Sequence, residues 1–214
     1  MSIRVFIADD HAIMRDGLLS LLKQQPDIHV IGSACDGLET VTQVTVLKPD
    51  VVVMDISMPH MNGIEATQQI LTEFPRARVI ILSMHSTSEH VFRALQAGAR
   101  GYLLKESAGP ELVLAIRTVF SGARYLSQKI TDTVVTDYLK SDKSASPLEM
   151  LSAREREVLQ LVAEGKSSLE ISKLLFLSTK TIETYRSRLM TKLGIKDIPS
   201  LVKFAVQHGL TSLD

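Results

Sequence analysis

The chain has 214 residues, 45% of them hydrophobic and 22% charged, with 24 basic against 24 acidic side chains. This is the composition of a globular protein of one or two domains, and it excludes extended disorder and a chain-wide polycation that would coat nucleic acid or membrane. The zero total is uneven: residues 1–125 carry 11 Lys/Arg and 13 Asp/Glu, 126–147 carry 3 of each, and 148–214 carry 10 against 8, so partners must be sought in local clusters.

No apolar run approaches the ~20 residues that span a bilayer. The opening MSIRVFIADDH has too short an apolar core and too acidic an end for a signal peptide. Cys35 is the single cysteine. No internal disulfide can form, and a cytoplasmic setting without a membrane partner is expected.

Residues 3–8, 28–33, 51–54, 79–83 and 101–104 are short runs rich in Val, Ile and Leu, which predict strands. Helical patterns fill the gaps. Residues 13–25 carry Leu18, Leu21 and Leu22 at helical spacing, and 37–47 follow as a weaker pattern rich in Val and Thr. Asn62-Gly-Ile-Glu65 and Ser86-Thr-Ser-Glu89 have the form of helix starts, a capping oxygen followed three residues later by Glu. Pro110 suits the first turn of a fifth helix that ends near Gly122. Five such units with short connections predict an α/β fold over residues 1–125, a doubly wound five-stranded parallel sheet with helices on both faces.

Residues 126–147 read as a linker, part helical at 128–140 and then small and polar in SDKSASP. Beyond it, in 148–214, no strand pattern remains. Ser152-Ala-Arg-Glu155 and Ser167-Ser-Leu-Glu170 are capping boxes, a third helix begins near Ser178 and a fourth near Ile198. This predicts a second, all-α four-helix domain near the lower size limit for a self-standing core.

In a doubly wound sheet, ligands gather beyond the carboxyl ends of the strands. The predicted strands bring Asp9, Asp10, Asp55, Ser83 and Lys105 to that edge. Three carboxylates converging there repel unless cations compensate. A hard divalent ion with oxygen ligands, Mg2+, is the natural solution. A carboxylate nucleophile, Mg2+, a lysine and a hydroxyl together suit phosphoryl transfer. Each acid taken singly also fits an ordinary turn or cap. An aspartyl-phosphate hydrolase would need a second acid two residues after the nucleophile, where Ser57 stands, and no G-x-G-x-x-G follows the first strand. His11 and His85 have no partner at ligand spacing and are not expected to bind metal.

Asp9-Asp10, Asp55 with Met58-Pro59 and Gly63, Ser83, and Tyr102 with Lys105 resemble the receiver domain of two-component response regulators over roughly residues 3–122. The resemblance implies that Asp55 accepts a phosphoryl group from a sensor histidine kinase. It implies that Asp10, Asp55 and the backbone carbonyl of Ser57 hold Mg2+, that Asp9 assists through water and that Lys105 pairs with the phosphate. Ser83 would be drawn toward the phosphate and Tyr102 would swing into the space it leaves, a local charge event biasing a two-state element. No enzyme activity is implied beyond the receiver's own phosphorylation and dephosphorylation. Met84 departs from the small residue usual after the switch hydroxyl, and Ser57 and His85 occupy positions that in the family tune phosphoryl loss.

In the last domain, helix 179–193 holds Lys180, Arg186, Arg188 and Lys192 against Glu183 alone. Its polar side, with Thr181, Thr184 and Ser187, suits a major groove, although the same composition also fits a solvated face. Residues 151–195 resemble the LuxR-type DNA-binding domain, so the whole chain resembles a response regulator of the NarL/FixJ type. That implies contacts to double-stranded DNA from Lys180, Thr181, Glu183, Thr184, Arg186, Ser187, Arg188 and Lys192. Glu183 and Tyr185 replace the family's usual Lys and His. Glu183 can accept from cytosine N4 or support the helix N-terminus. The last helix, with Ile198, Leu201 and Val202, would form the contact of a homodimer that assembles on phosphorylation.

Overall fold

The computed structural model describes residues 2–140 and 147–211, and of residues 110, 138–140 and 149 within them only the backbone. The chain forms two compact units, Met1–Asp142 and Lys143–Asp214.

In the first unit the order is β1 (Ile3–Ala8), α1 (Ala12–Lys23), β2 (Ile28–Ala34), α2 (Gly37–Leu47), β3 (Val51–Asp55), α3 (Gly63–Glu73), β4 (Arg78–Ser83), α4 (Ser88–Gln96), β5 (Gly101–Leu104), α5 (Ala108–Phe120), β6 (Tyr125–Leu126) and α6 (Gln128–Lys140). The strands pair in the order β2-β1-β3-β4-β5-β6, all parallel. The side-chain period of two divides the central strands between two cores. Phe6, Val52, Met54, Ile81 and Tyr102 face α2, α3, α4 and α6, whereas Val5, Ile7, Val53, Leu82 and Leu103 face α1 and α5. All five residues of β3 are buried, as its unbroken apolar run requires in a sheet covered on both sides.

Three details depart from the sequence reading. The sheet has six strands rather than five, because Tyr125 and Leu126 continue along the edge of β5 through Tyr125 N to Arg100 O (3.0 Å) and Ser127 N to Tyr102 O (3.1 Å). Two residues are too few to show a period. The segment read as a linker at 126–147 starts with this strand and with α6, whose Ile130 is fully buried and whose Val134 packs beside it on the first unit; residues 141–146 lie outside the described residues. The start expected at Ser86 is displaced to Ser88, with Thr87 as N-cap and no side-chain cap bond to the backbone.

The second unit holds α7 (Ala153–Ala163), α8 (Ser168–Leu174), α9 (Thr179–Leu193) and α10 (Ile198–Gln207). Both predicted capping boxes are formed, Ser152 with Glu155 and Ser167 with Glu170. Ser178 caps α9 and Asp197 caps α10. Leu159, Leu161, Ile171, Ile182, Leu189 and Leu201 are its fully buried centre. The turn between α8 and α9 places Phe176 at φ 54°, in the left-handed region, and leaves the residue 94% exposed. Among the described residues of either unit no helix is long and apolar enough to cross a membrane.

Gly63 ties the fold to the crevice. A Cβ there would fall on the Asp55 carbonyl oxygen and within 2.9 Å of its carbonyl carbon, both backbone atoms that cannot step aside. Gly63→Ala should therefore cost about 1–3 kcal/mol, the usual penalty of overpacking, in a urea titration of the receiver unit. Stability equal to wild type would show that the β3–α3 junction can relax.

Candidate functional site

The strand order reverses between β1 and β3, and their carboxyl ends open the crevice. Asp9 follows β1, held by Asp9 N to Ala34 O (3.2 Å), and its Oδ1 accepts from His11 N at 2.9 Å, which turns the chain into α1. Asp55 is the last residue of β3. Lys105 opens a short 3-10 turn after β5. Lys105 Nζ lies 2.6 Å from Asp55 Oδ2 and 2.8 Å from Asp9 Oδ2, and all three side chains are at most 5% exposed. Asp10 sits at the rim, 24% exposed, with His11 Nδ1 2.7 Å from its Oδ1.

One lysine against three carboxylates leaves the crevice electronegative. Burial pushes the Asp55 carboxyl from 3.8 up to about 6; Lys105 opposes this, and the charges of Asp9 and Asp10 add to it. Burial works against the charge of Lys105 as well, but Asp55 and Asp9 outweigh it and hold its ammonium above the usual lysine range. One oxygen each of Asp9, Asp10 and Asp55 and a ring nitrogen of His11 lie within 4.8 Å of one another. Asp9 Oδ2 and Asp10 Oδ1 are buried, with Lys105 Nζ and His11 Nδ1 respectively as their close neighbours. A hard cation with carboxylate and water ligands suits this oxygen-rich set. His11, not expected as a ligand for want of a partner at ligand spacing, lies against Asp9 and Asp10 immediately before it.

Ser83 and Tyr102, the residues expected to switch, lie beside the acids. Ser83 is buried, and its Oγ accepts from His85 N at 3.0 Å. Tyr102 is fully buried, and its hydroxyl donates to His85 O at 2.7 Å. Tyr102 thus already points inward while Ser83 is held by His85. Burial keeps its phenol protonated far above the usual range. Ser57 N points to Asp55 Oδ1 at 3.4 Å. Met84, which departs from the small residue usual after the switch hydroxyl, is 72% exposed.

On α9 the expected DNA contacts divide. Lys180, Thr184, Ser187 and Arg188 are exposed on one side of the helix. Thr181 belongs to the cap, its N donating to Ser178 Oγ at 3.1 Å. Glu183, although exposed, hydrogen-bonds to Ser168 of α8, and Arg186 Nη1 donates to the same Ser168 Oγ at 2.7 Å. Lys192 Nζ lies 2.7 Å from Glu155 Oε2 and also donates to Met150 O. Glu183, Arg186 and Lys192 thus tie α9 to its own unit, a use that charge alone could not reveal. Leu201 corrects the expected dimer surface: it is fully buried in the unit's own core, which leaves exposed area on Ile198 and Val202.

Residues 5–117 match the response regulator receiver domain family, and residues 149–205 match the bacterial regulatory proteins of the luxR family. The oxygen regulatory protein NreC of Staphylococcus aureus (strain MRSA252) is 40% identical over 213 residues, covering 97% of this chain and 98% of that protein. Among solved structures, a LuxR-family two-component response regulator from Aurantimonas sp. SI85-9A1 superposes with a TM-score of 0.63 at 35% identity, over 65% of this chain and 99% of its own. The RcsB response regulator of Salmonella typhimurium gives 0.61 at 29% identity, over 96% and 98%. A complex of RcsB with DNA gives 0.60 at 28% identity, over 95% and 98%.

The raised Asp55 carboxyl has a measurable consequence. The folded state holds its proton more tightly than the unfolded chain, so the contribution of this group to stability is full below pH 3.8 and is lost as the pH rises to about 6. In EDTA at pH 7.5, Asp55→Asn should be more stable than wild type by up to about 3 kcal/mol, two pKa units' worth, and the gap should narrow toward pH 4.5. Urea titrations at the two pH values decide this, and a gap that does not change with pH would refute it.

Proposed function

From the premise that this chain belongs to the response regulators, joining a receiver domain to a luxR-type DNA-binding domain, we propose how its residues carry out phosphorylation-controlled regulation of transcription. The observation that carries the proposal is Lys105 Nζ set between Asp55 and Asp9, beside Asp10, at the carboxyl ends of β1, β3 and β5. Asp55 is the phosphoacceptor. Its carboxylate oxygen attacks the phosphorus of a phosphohistidine on a sensor kinase; the P–N bond breaks, an acyl-phosphate P–O bond forms, and the imidazole leaves with a proton.

Mg2+ bound by Asp10, Asp55 and the Ser57 carbonyl, with Asp9 reaching it through water, would neutralise the phosphoryl oxygens. Lys105 is already charged and aimed at Asp55, so it meets the new anion without reorganisation. Ser83 Oγ turns from His85 N to donate to the phosphoryl group, and the inward position of Tyr102 is reinforced. The face of α4, β5 and α5 then carries the change to a homodimer contact, for which α10 supplies Ile198 and Val202.

The second unit binds double-stranded DNA through α9 in the major groove, with Lys180 and Arg188 on phosphates and Thr184 and Ser187 toward base edges. Arg186, Lys192, Thr181 and Glu183 hold that helix in place, and Glu183 leaves base reading to its neighbours.

Acetyl phosphate with Mg2+ should label wild type and leave Asp55→Asn unlabelled; equal labelling of the two would remove Asp55 from this role. Lys180→Ala and Arg188→Ala should each weaken binding to every DNA sequence and lower the slope of log affinity against log salt by about 1. A fluorescence-anisotropy titration over several salt concentrations measures this, and unchanged slopes in both variants would place the DNA elsewhere.

A further inference from the structure

Beside the crevice, the stretch from the end of β4 into the first turn of α4 carries two histidines, of which His90 has no part in the proposed phosphorylation chemistry. His85 lies in the loop after Ser83, and His90 is the third residue of α4. Their rings are parallel to within 7°, with centroids 4.4 Å apart. His90 is 4% exposed, and its Nδ1 lies 2.6 Å from Thr87 Oγ1, the N-cap hydroxyl that makes no bond to the helix backbone. The ring of His90 is thereby fixed from below and offers a flat platform.

On the other side of the stack, His85 Nε2 lies 3.4 Å from Ser57 Oγ, and its carbonyl accepts from Tyr102. Ser57 stands two residues beyond Asp55, on the opposite loop. The contact between Ser57 and His85 therefore spans the two loops that flank Asp55. We infer that His90 is a positioning residue for phosphoryl transfer: by stacking on His85 it holds the His85–Ser57 bridge across the mouth of the Asp55 crevice, and so sets how fast that crevice is entered.

This rests on the reading of Asp55 as phosphoacceptor, and it adds a kinetic signature. Transfer at phosphorus runs in line, so the attacking and leaving groups lie opposite each other. When the acyl phosphate is hydrolysed, water attacks phosphorus, the bond to the Asp55 oxygen breaks, and inorganic phosphate leaves. The donor arrives, and that water attacks, from the side facing away from Asp55. Both pass the same mouth. A bridge across it slows gain and loss of the phosphoryl group together and leaves the steady-state occupancy nearly unchanged.

The experiment follows label from radioactive acetyl phosphate, with Mg2+, on the full chain, recording uptake and, after removal of the donor, decay. His90→Leu keeps buried volume but removes the flat face, and it should raise both rates together, by roughly two- to ten-fold, the range that loss of one aromatic stack allows. His90→Phe restores the face and should return both rates close to wild type. His85→Ala, at a half-buried and more tolerant position, should match His90→Leu, and the double variant should add nothing further. Wild-type rates in both His90→Leu and His85→Ala would overturn the inference, as would acceleration of decay without uptake or failure of His90→Phe to rescue. Absence of label on wild type would instead overturn the assignment of Asp55, so the two failures are distinct.

Discussion

Lys105 Nζ stands between two carboxylates in a crevice nearly withdrawn from water, and the rest of the receiver unit is arranged around that charge problem. The ammonium answers Asp55 and Asp9 at 2.6 and 2.8 Å, yet two negative charges among Asp9, Asp10 and Asp55 remain without a lysine or arginine. A buried, half-compensated cluster of this kind costs stability. In the proposed function, a hard cation and a phosphoryl group would relieve that repulsion by arriving. The same desolvation that lifts the Asp55 carboxyl makes each electrostatic contact at the crevice stronger than it would be in water. Stability is thus given up at the proposed site of modification.

The crevice is connected outward by short, specific contacts. From Asp55 the chain of neighbours runs through Ser57 to His85, and from His85 to Ser83, Tyr102 and His90. One loop residue, His85, touches the switch hydroxyl with its amide, the buried tyrosine with its carbonyl and the opposite loop with its ring. Farther along α4, Arg93 is buried against Glu65 of α3 at 3.6 Å, so α4 is held at both of its ends by polar groups rather than by apolar packing alone. Polar contacts of this kind have discrete alternatives, which suits the change of state proposed for this element.

In the second unit, the basic residues of α9 serve two ends. Arg186 and Lys192 turn back to Ser168 and Glu155, partners that sit at the first turns of α8 and α7. Lys180 and Arg188 stay outside. The orientation of a recognition helix must be fixed before its outer face can read anything, and here internal hydrogen bonds fix it. Glu183, unusual against the resemblance, joins the internal set through Ser168.

What could be read from the residues was whatever depends on short-range pattern: the five main strands, the capping boxes at Ser152 and Ser167, the division into an α/β part and a helical part, and the acids delivered to strand ends. Periodicity and capping are local physics, and in a parallel sheet strand ends face one crevice by construction. What only the tertiary structure decided depends on neighbours distant in sequence. The two-residue edge strand has no period of its own. α6 joins the receiver because Ile130 finds a core there. Leu201 is withdrawn into its own unit, and α9's charges divide between tethers and a free face. No alternation or spacing along the chain carries that information, because it is set by which side chains meet once the backbone has closed.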